Sequence, residues 1–174
     1  MKTWGMIFLL LVCGVGAAHS ETARVLPTSI CGDGAQALDP LLIELADFFE
    51  HNPVIYLATM DGTRPCVRPV RYSAMIGGKI AIATSVKKGM SRQMAANPNV
   101  EISVASADGK HYARYAGRAV ACKDAKILAD FDSAQPKFKK MFGADFVLYL
   151  IEPVNVGLFS NTKGVEPKTK KFAN

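Results

Sequence analysis

The sequence predicts a mainly β chain with helices, of the α+β class, in which antiparallel strands form a barrel with helices against it. Three observations predict it. About six short runs rich in β-branched and aromatic residues are joined by hairpin turn signals. Helical stretches interrupt them in two or three places, and there is neither βαβ alternation nor a glycine-rich phosphate loop. The last point argues against Rossmann and P-loop nucleotide sites. A length of 174 residues suits a single core. With 49% hydrophobic and 21% charged residues, the chain is neither disordered, collagenous nor coiled-coil.

Residues 1–20 read as a secretory signal peptide rather than as part of the fold. Lys2 supplies a basic start, Thr3 to Ser20 carries no full charge, and Met6-Ile7-Phe8-Leu9-Leu10-Leu11-Val12 forms the apolar centre. Small residues precede the cut: Ser20 with Ala18 suits a cut after Ser20, the preferred site, and Ala18 with Gly16 a cut after Ala18. The apolar run is shorter than the ~20 residues of a spanning helix. An exported protein, periplasmic or secreted, with no stable membrane span after cleavage is expected. The mature chain then keeps Cys31, Cys66 and Cys122, with no CxxC spacing to support a zinc or thioredoxin-type site. An oxidising compartment allows one disulfide, but three free thiols are expected, because pairing Cys66 with Cys122 needs facing strands.

Residues 21–35, with Pro27, Gly32 and Gly34, read as an irregular arm before a domain over 36–162. A helix follows, capped by Asp39, with Pro40 at its first position and Leu38, Leu41, Leu42, Leu45, Phe48 and Phe49 recurring at helical spacing; Pro53 ends it. Residues 54–60 form a strand, Asp61-Gly62 a turn, 65–76 the partner strand, and Gly77-Gly78 a second turn into 79–84; these three runs are expected to form a meander. A helix over 87–96 turns Met90 and Met94 inward and stops at Asn97-Pro98. Strands at 100–105 and 111–122 flank the turn Ala107-Asp108-Gly109. Helices at 124–133 and 137–142 are separated by Gln135-Pro136, and 146–151 with 154–159 complete the sheet. The tail 163–174, with four lysines and one acid, is expected to be a solvated, mobile end.

Charge carries the clearest functional signal. Lys and Arg number 21 against 15 Asp and Glu, a formal +6, which points to an anionic partner: nucleic acid, a membrane surface or a phosphorylated cofactor. Between Asp61 and Glu101 there is no acid, yet the segment holds Arg64, Arg68, Arg71, Lys79, Lys87, Lys88 and Arg92. On a regular strand Arg64 and Arg68 share a face and Arg71 takes the other. Thr84, Ser85, Lys87 and Lys88 at a helix start form a candidate phosphate site, against the ordinary alternative of solvated lysines. His51 is expected to bond the carbonyls at the end of its helix, and His111 to be structural or exposed. Tyr56, Tyr72, Tyr112 and Tyr115 read as packing residues that are also able to stack on a ring. No catalytic residue is identified and no cluster has metal-ligand spacing, so an enzyme built on this chain would rely on a cofactor.

The segments NPVIYLATMDGTRPCVRPV, KIAIATSVKKGMSRQMAANPNVEIS and YARYAGRAV resemble the FMN-binding split barrel of the pyridoxamine 5'-phosphate oxidase-like superfamily, over roughly residues 38–160. Most specific is the order of four elements: LAT-x-DG, P-x-VRPV, ATS followed by paired lysines, and Q-x-x-x-NP-x-V. The resemblance implies an antiparallel split β-barrel of the FMN-binding type, with FMN as cofactor. It implies that Arg68-Pro69-Val70-Arg71 runs along the flavin, an arginine reaching the phosphate and the backbone the ring. Ala83-Thr84-Ser85 would continue the site, Lys87 and Lys88 would bind the phosphate, and Gln93 would lie behind it. It further implies a homodimer, with a residue near Tyr112 or Arg114 of the second subunit completing each site. The implied function is that of an FMN-dependent oxidoreductase using a small-molecule electron donor or acceptor, with no nucleic acid partner. A non-catalytic flavin-binding or electron-carrier protein, and a heme-binding relative using His51 or His111, are the alternatives. The sequence also departs from the vitamin-B6 oxidases. The loop between Thr84 and Lys87 is shorter, and nothing after Glu152 matches their arginine- and histidine-bearing end, so a true vitamin-B6 oxidase is not expected.

Overall fold

Asp39 accepts the Leu41 N–H at 2.9 Å and so caps the first helix, α1 (Pro40–His51), whose opening φ is set by Pro40. This computed structural model describes residues 38–173; the expected signal peptide, the arm and Cys31 lie outside the described residues. Leu42, Leu45, Ala46 and Phe49 form the buried stripe of α1. Pro53 follows the helix, and the Asn52 N–H closes it on the Phe48 carbonyl.

Among the described residues eight strands form one antiparallel sheet: β1 (Val54–Asp61), β2 (Arg64–Arg71), β3 (Ala74–Ile76), β4 (Lys79–Ser85), β5 (Asn99–Ala105), β6 (His111–Ala121), β7 (Phe146–Ser160) and β8 (Lys168–Lys171). Their order is β2-β1-β5-β6-β7-β4-β3, with β8 paired to the second half of β7. The two ends of that order, β2 and β3, are consecutive in sequence and joined only by Tyr72 and Ser73. Three peptide steps span at most about 11 Å. The sheet therefore curls until its edges approach, giving a barrel left split between β2 and β3. Helices α2 (Gly89–Ala96), α3 (Ala125–Ala134) and α4 (Pro136–Phe142) complete the α+β fold.

The expected meander does not form. Both hairpins are present, but the run 65–76 breaks at Tyr72-Ser73, and β4 pairs with β7 rather than with β2. The reason lies in the strands themselves. β2 carries Pro65 and Pro69, which donate no ladder bond, and its residues alternate between exposed and half-buried, as suits an edge. In contrast, Ala74, Met75, Ile76, Ile80, Ala81 and Ile82 are all buried, so β3 and β4 need cover on both faces. The barrel interior, with Phe49, Leu57, Ile102 and Tyr115, covers one face. Ile127 and Phe131 of α3, packed on Ile76, Ala81 and Leu148, cover the other.

The runs 146–151 and 154–159 are one strand, β7. Its ladder with β6 shifts register between Ala116 and Gly117, so an extra residue is accommodated beside Pro153. Glycine is required there: a Cβ on Gly117 would stand 2.3 Å from the Glu152 carbonyl oxygen. The tail is exposed, as expected, but it includes a strand. β8 pairs Lys168 with Leu158 and Lys171 with Asn155. Lys168 bonds Glu44 at 2.6 Å, Lys170 pairs with Asp39, and Phe172 packs on the core. A count of charges misses this because the acids that meet these lysines lie on α1. Among the described residues Cys66 and Cys122 do not pair with each other, as expected, and β1 and β5 separate β2 from β6.

Tyr115 ties the barrel together at its centre. Its buried hydroxyl lies 2.7 Å from the Gly78 carbonyl and 3.0 Å from that of Ile151. Burial raises the ionisation of Tyr115, and likewise that of Tyr72, well above the ordinary tyrosine range. The fold thus favours the neutral phenol, and this stability is fully present below the unfolded tyrosine value of 10.0 and is lost as pH rises above it. Tyr115→Phe is expected to lower unfolding free energy by about 1–3 kcal/mol in urea titrations at pH 7. The same variant should show a shallower loss of stability above pH 10 than the parent.

Candidate functional site

The alternation of β2 turns Cys66, Arg68 and Val70 inward and leaves Val67, Pro69 and Arg71 exposed. The inward row of β1 reads Ile55, Leu57, Thr59 and so places a hydroxyl beside Arg68. Helix α2 leaves the end of β4 and packs across to β1, carrying Gln93 to the same point. There Arg68 donates from Nη1 to Thr59 Oγ1 at 3.1 Å and from Nη2 to Gln93 Oε1 at 2.7 Å. Thr59 Oγ1 in turn donates to Gln93 Oε1 at 2.7 Å, and Gln93 Nε2 lies 3.7 Å from Cys66 Sγ. One residue pair away on α2, Ser91 Oγ meets Tyr149 Oη of β7 at 3.0 Å. The helix therefore bridges the two halves of the split barrel with polar contacts.

Both acceptors of the Arg68 guanidinium are neutral, and no carboxylate pairs with it among the described residues. A half-buried cation in that condition is set to receive an anion. Nearby charge is distributed unequally. Of the seven bases in the acid-free segment, Arg64 pairs with Asp61 at 3.2 Å, Lys79 with Glu152 at 2.7 Å and Lys87 with Asp145 at 2.7 Å. Arg92 donates to the Lys87 carbonyl at 2.8 Å. The Lys88 ammonium sits 4.9 Å above the Phe142 ring.

At the end of β4, Ala83 is half-buried and Thr84 and Ser85 are buried. Ser85 Oγ accepts the Lys87 N–H at 3.2 Å, while Thr84 Oγ1 is enclosed without a partner among the described residues. Helix α2 begins at Gly89, two residues later than expected, because Lys87 and Lys88 lie in the turn before it. Lys88 is the N-cap, its side chain makes no capping bond, and the first turn holds no acid. The basic pair thus stands ahead of the open N–H groups of the helix.

Tyr112 and Arg114 lie elsewhere in the chain, on the outer face of the sheet. Tyr112 stacks on Phe159 with centroids 4.8 Å apart, and Arg114 Nε donates to Glu101 at 2.6 Å. Pro69 and Arg71 face outward too, opposite Tyr56 and Val54 in register. This face leaves Val54 52%, Tyr56 51% and Val67 65% exposed. His51 Nδ1 is 2.8 Å from the Asp47 carbonyl oxygen, as its place at a helix end predicts. His111 is exposed at the start of β6, and neither histidine enters the cluster. Sequence reasoning missed Thr59 and Cys66 as members of the site. The available signal was a hydroxyl in an otherwise apolar inward row.

The family model described as Pyridoxamine 5'-phosphate oxidase matches residues 41–157. No curated protein matches the chain. Among solved structures, a nimc/nima family protein from Clostridium acetobutylicum is similar at 25% identity and a TM-score of 0.63, over 75% of this chain and 92% of that one. A pyridoxamine 5'-phosphate oxidase-related, FMN binding protein from Nostoc punctiforme shares the fold at 15% identity and a TM-score of 0.55, over 80% of this chain and 100% of that one. A heme binding protein from Mycobacterium smegmatis shares it at 18% identity and a TM-score of 0.61, over 78% of this chain and 60% of that one. The matched residues take in every strand and helix that builds the Arg68 cluster, and the chain belongs to the pyridoxamine 5'-phosphate oxidase-like family of split barrels.

Proposed function

We propose that the protein is an exported, homodimeric FMN-binding oxidoreductase, distinct from a true vitamin-B6 oxidase. The observation that carries this reading is the Arg68 guanidinium, half-buried, held by two neutral acceptors and left without a counter-charge among the described residues. The surrounding residues fit a flavin phosphate. Lys88 has a cation unpaired with any acid among the described residues, Thr84 has an enclosed hydroxyl without a partner, and the start of α2 has open N–H groups. Arg68, Lys88 and the Thr84-Ser85 segment would hold the phosphate, with Lys87 and Gln93 behind them. Among the described residues the backbone of Arg68-Pro69-Val70-Arg71 has no strand on its far side and offers that edge to the ring.

The bound flavin supplies hydride chemistry at N5. This chain's part is placement and an electron-poor setting, because the cluster contains no carboxylate and no histidine. That lack of an acid or base favours, as a second reading, a flavin-binding electron carrier; turnover with a reductant and a small-molecule acceptor separates the two. The heme reading draws no support from His51 or His111, both exposed.

The dimer part rests on the outer face, where Val54, Tyr56 and Val67 adjoin the sheet region bearing the Tyr112–Phe159 stack. A second copy is the commonest cover for such an apolar surface, and its Tyr112 and Arg114 would reach the neighbouring site. The export part rests on residues 1–20.

Protein purified from its native compartment is expected to show the twin flavin bands, and a Soret band instead would overturn FMN. Lys88→Ala should weaken FMN binding about tenfold and riboflavin binding little, because only FMN carries the phosphate. Unchanged affinity for both would place the site elsewhere. Light scattering at micromolar concentration should give twice the chain mass, and Tyr56→Asp should give a monomer; a monomeric parent that binds flavin stoichiometrically sinks the dimer. N-terminal sequencing of the exported protein should begin at Glu21.

A further inference from the structure

We propose that Thr59 and Gln93 are positioning residues that keep the Arg68 guanidinium aimed and uncompensated, and that the neutrality of this pair makes the site select a phosphate monoester over its uncharged counterpart. The inference rests on the FMN reading above and extends it to the origin of selectivity. Thr59 is 1% exposed, in a row otherwise filled by Ile55 and Leu57, so its hydroxyl must be satisfied inside the fold. It is satisfied twice, accepting from Arg68 Nη1 and donating to Gln93 Oε1. Gln93 Oε1 also accepts from Arg68 Nη2, so both of its lone pairs are used.

The Gln93 amide has one available orientation. Its oxygen faces two donors, and its nitrogen faces the Cys66 sulfur at 3.7 Å. A guanidinium has five N–H donors, of which this clamp uses two. The remaining donors are fixed in a planar fork suited to phosphate oxygens. Gln93 follows the first residue of α2 by four positions, about 6 Å along the helix axis. Gln93, which holds the fork, and the helix start, with Lys88 as its N-cap, are thus about one turn apart on α2. A glutamate at position 93 would match the amide in shape and pair directly with Arg68. The chain instead places an amide there, which leaves the positive charge for a ligand.

The test compares the parent with Gln93→Glu, Thr59→Val and Thr59→Ser, measuring FMN and riboflavin affinities by flavin fluorescence and thermal stability of the flavin-free protein. Gln93→Glu should fold with unchanged or higher thermal stability, lose FMN affinity about tenfold or more, and keep riboflavin affinity. Thr59→Val should shift the FMN-to-riboflavin preference in the same direction, and Thr59→Ser should restore it. Equal weakening of both flavins by Gln93→Glu, or an unchanged preference, overturns the clamp while leaving FMN binding intact. A parent that binds neither flavin overturns the FMN reading instead. The clamp is then judged by inorganic phosphate, which should raise the melting temperature of the parent and not of Gln93→Glu; no difference between them rejects it.

Discussion

Everything in this fold depends on a two-residue link. Tyr72 and Ser73 join the strands at opposite ends of the sheet order, so the sheet must curl until β2 approaches β3. The closure stays incomplete because β2, with Pro65 and Pro69, is unsuited to a second ladder. The resulting split has physical consequences. It leaves a free backbone edge, and it leaves α2 as the element that spans the two halves, contacting β1 and β2 through Gln93 and β7 through Ser91.

The same arrangement explains the electrostatics. The segment between Asp61 and Glu101 has bases and no acids, and the fold brings in acids for only some of them. Lys79 and Lys87 acquire Glu152 and Asp145 from the far end of the chain, the first pair half-buried and the second with an exposed lysine. Arg68 donates its side-chain hydrogen bonds to neutral groups, Thr59 and Gln93, and lies where water is partly excluded. Its charge is tolerated because Thr59 and Gln93 solvate it, and it is useful because they do not neutralise it.

The two faces of the β1–β2 hairpin have separate tasks. The inner face holds the polar cluster, while the outer face shows Val54, Tyr56 and Val67 to solvent beside a tyrosine stacked on Phe159. Strand periodicity makes the two inseparable: a one-residue slip would exchange the cluster and the apolar surface. The eight matched pairs from Val54–Arg71 to Asp61–Arg64 hold that register.

The sequence by itself determined the elements whose causes are local. Asp39 and Pro40 start α1, the hairpin glycines place their turns, and the ordered LAT, VRPV, ATS and Q-x-x-x-NP segments make the family legible before any fold is known. It also singled out Arg68, Lys88 and Gln93. Tertiary structure alone decided which strands meet. Pairing of β4 with β7 joins residues more than sixty positions apart and follows from burial on both faces, which local spacing does not encode. Thr59 entered the site because β1 is the neighbour of β2, and the lysine tail became a strand because Asp39, Glu44 and the seat of Phe172 lie on distant elements. Side-chain type and alternation are written along the chain, whereas the partners that satisfy a buried hydroxyl or a lysine are chosen by the curl of the whole sheet.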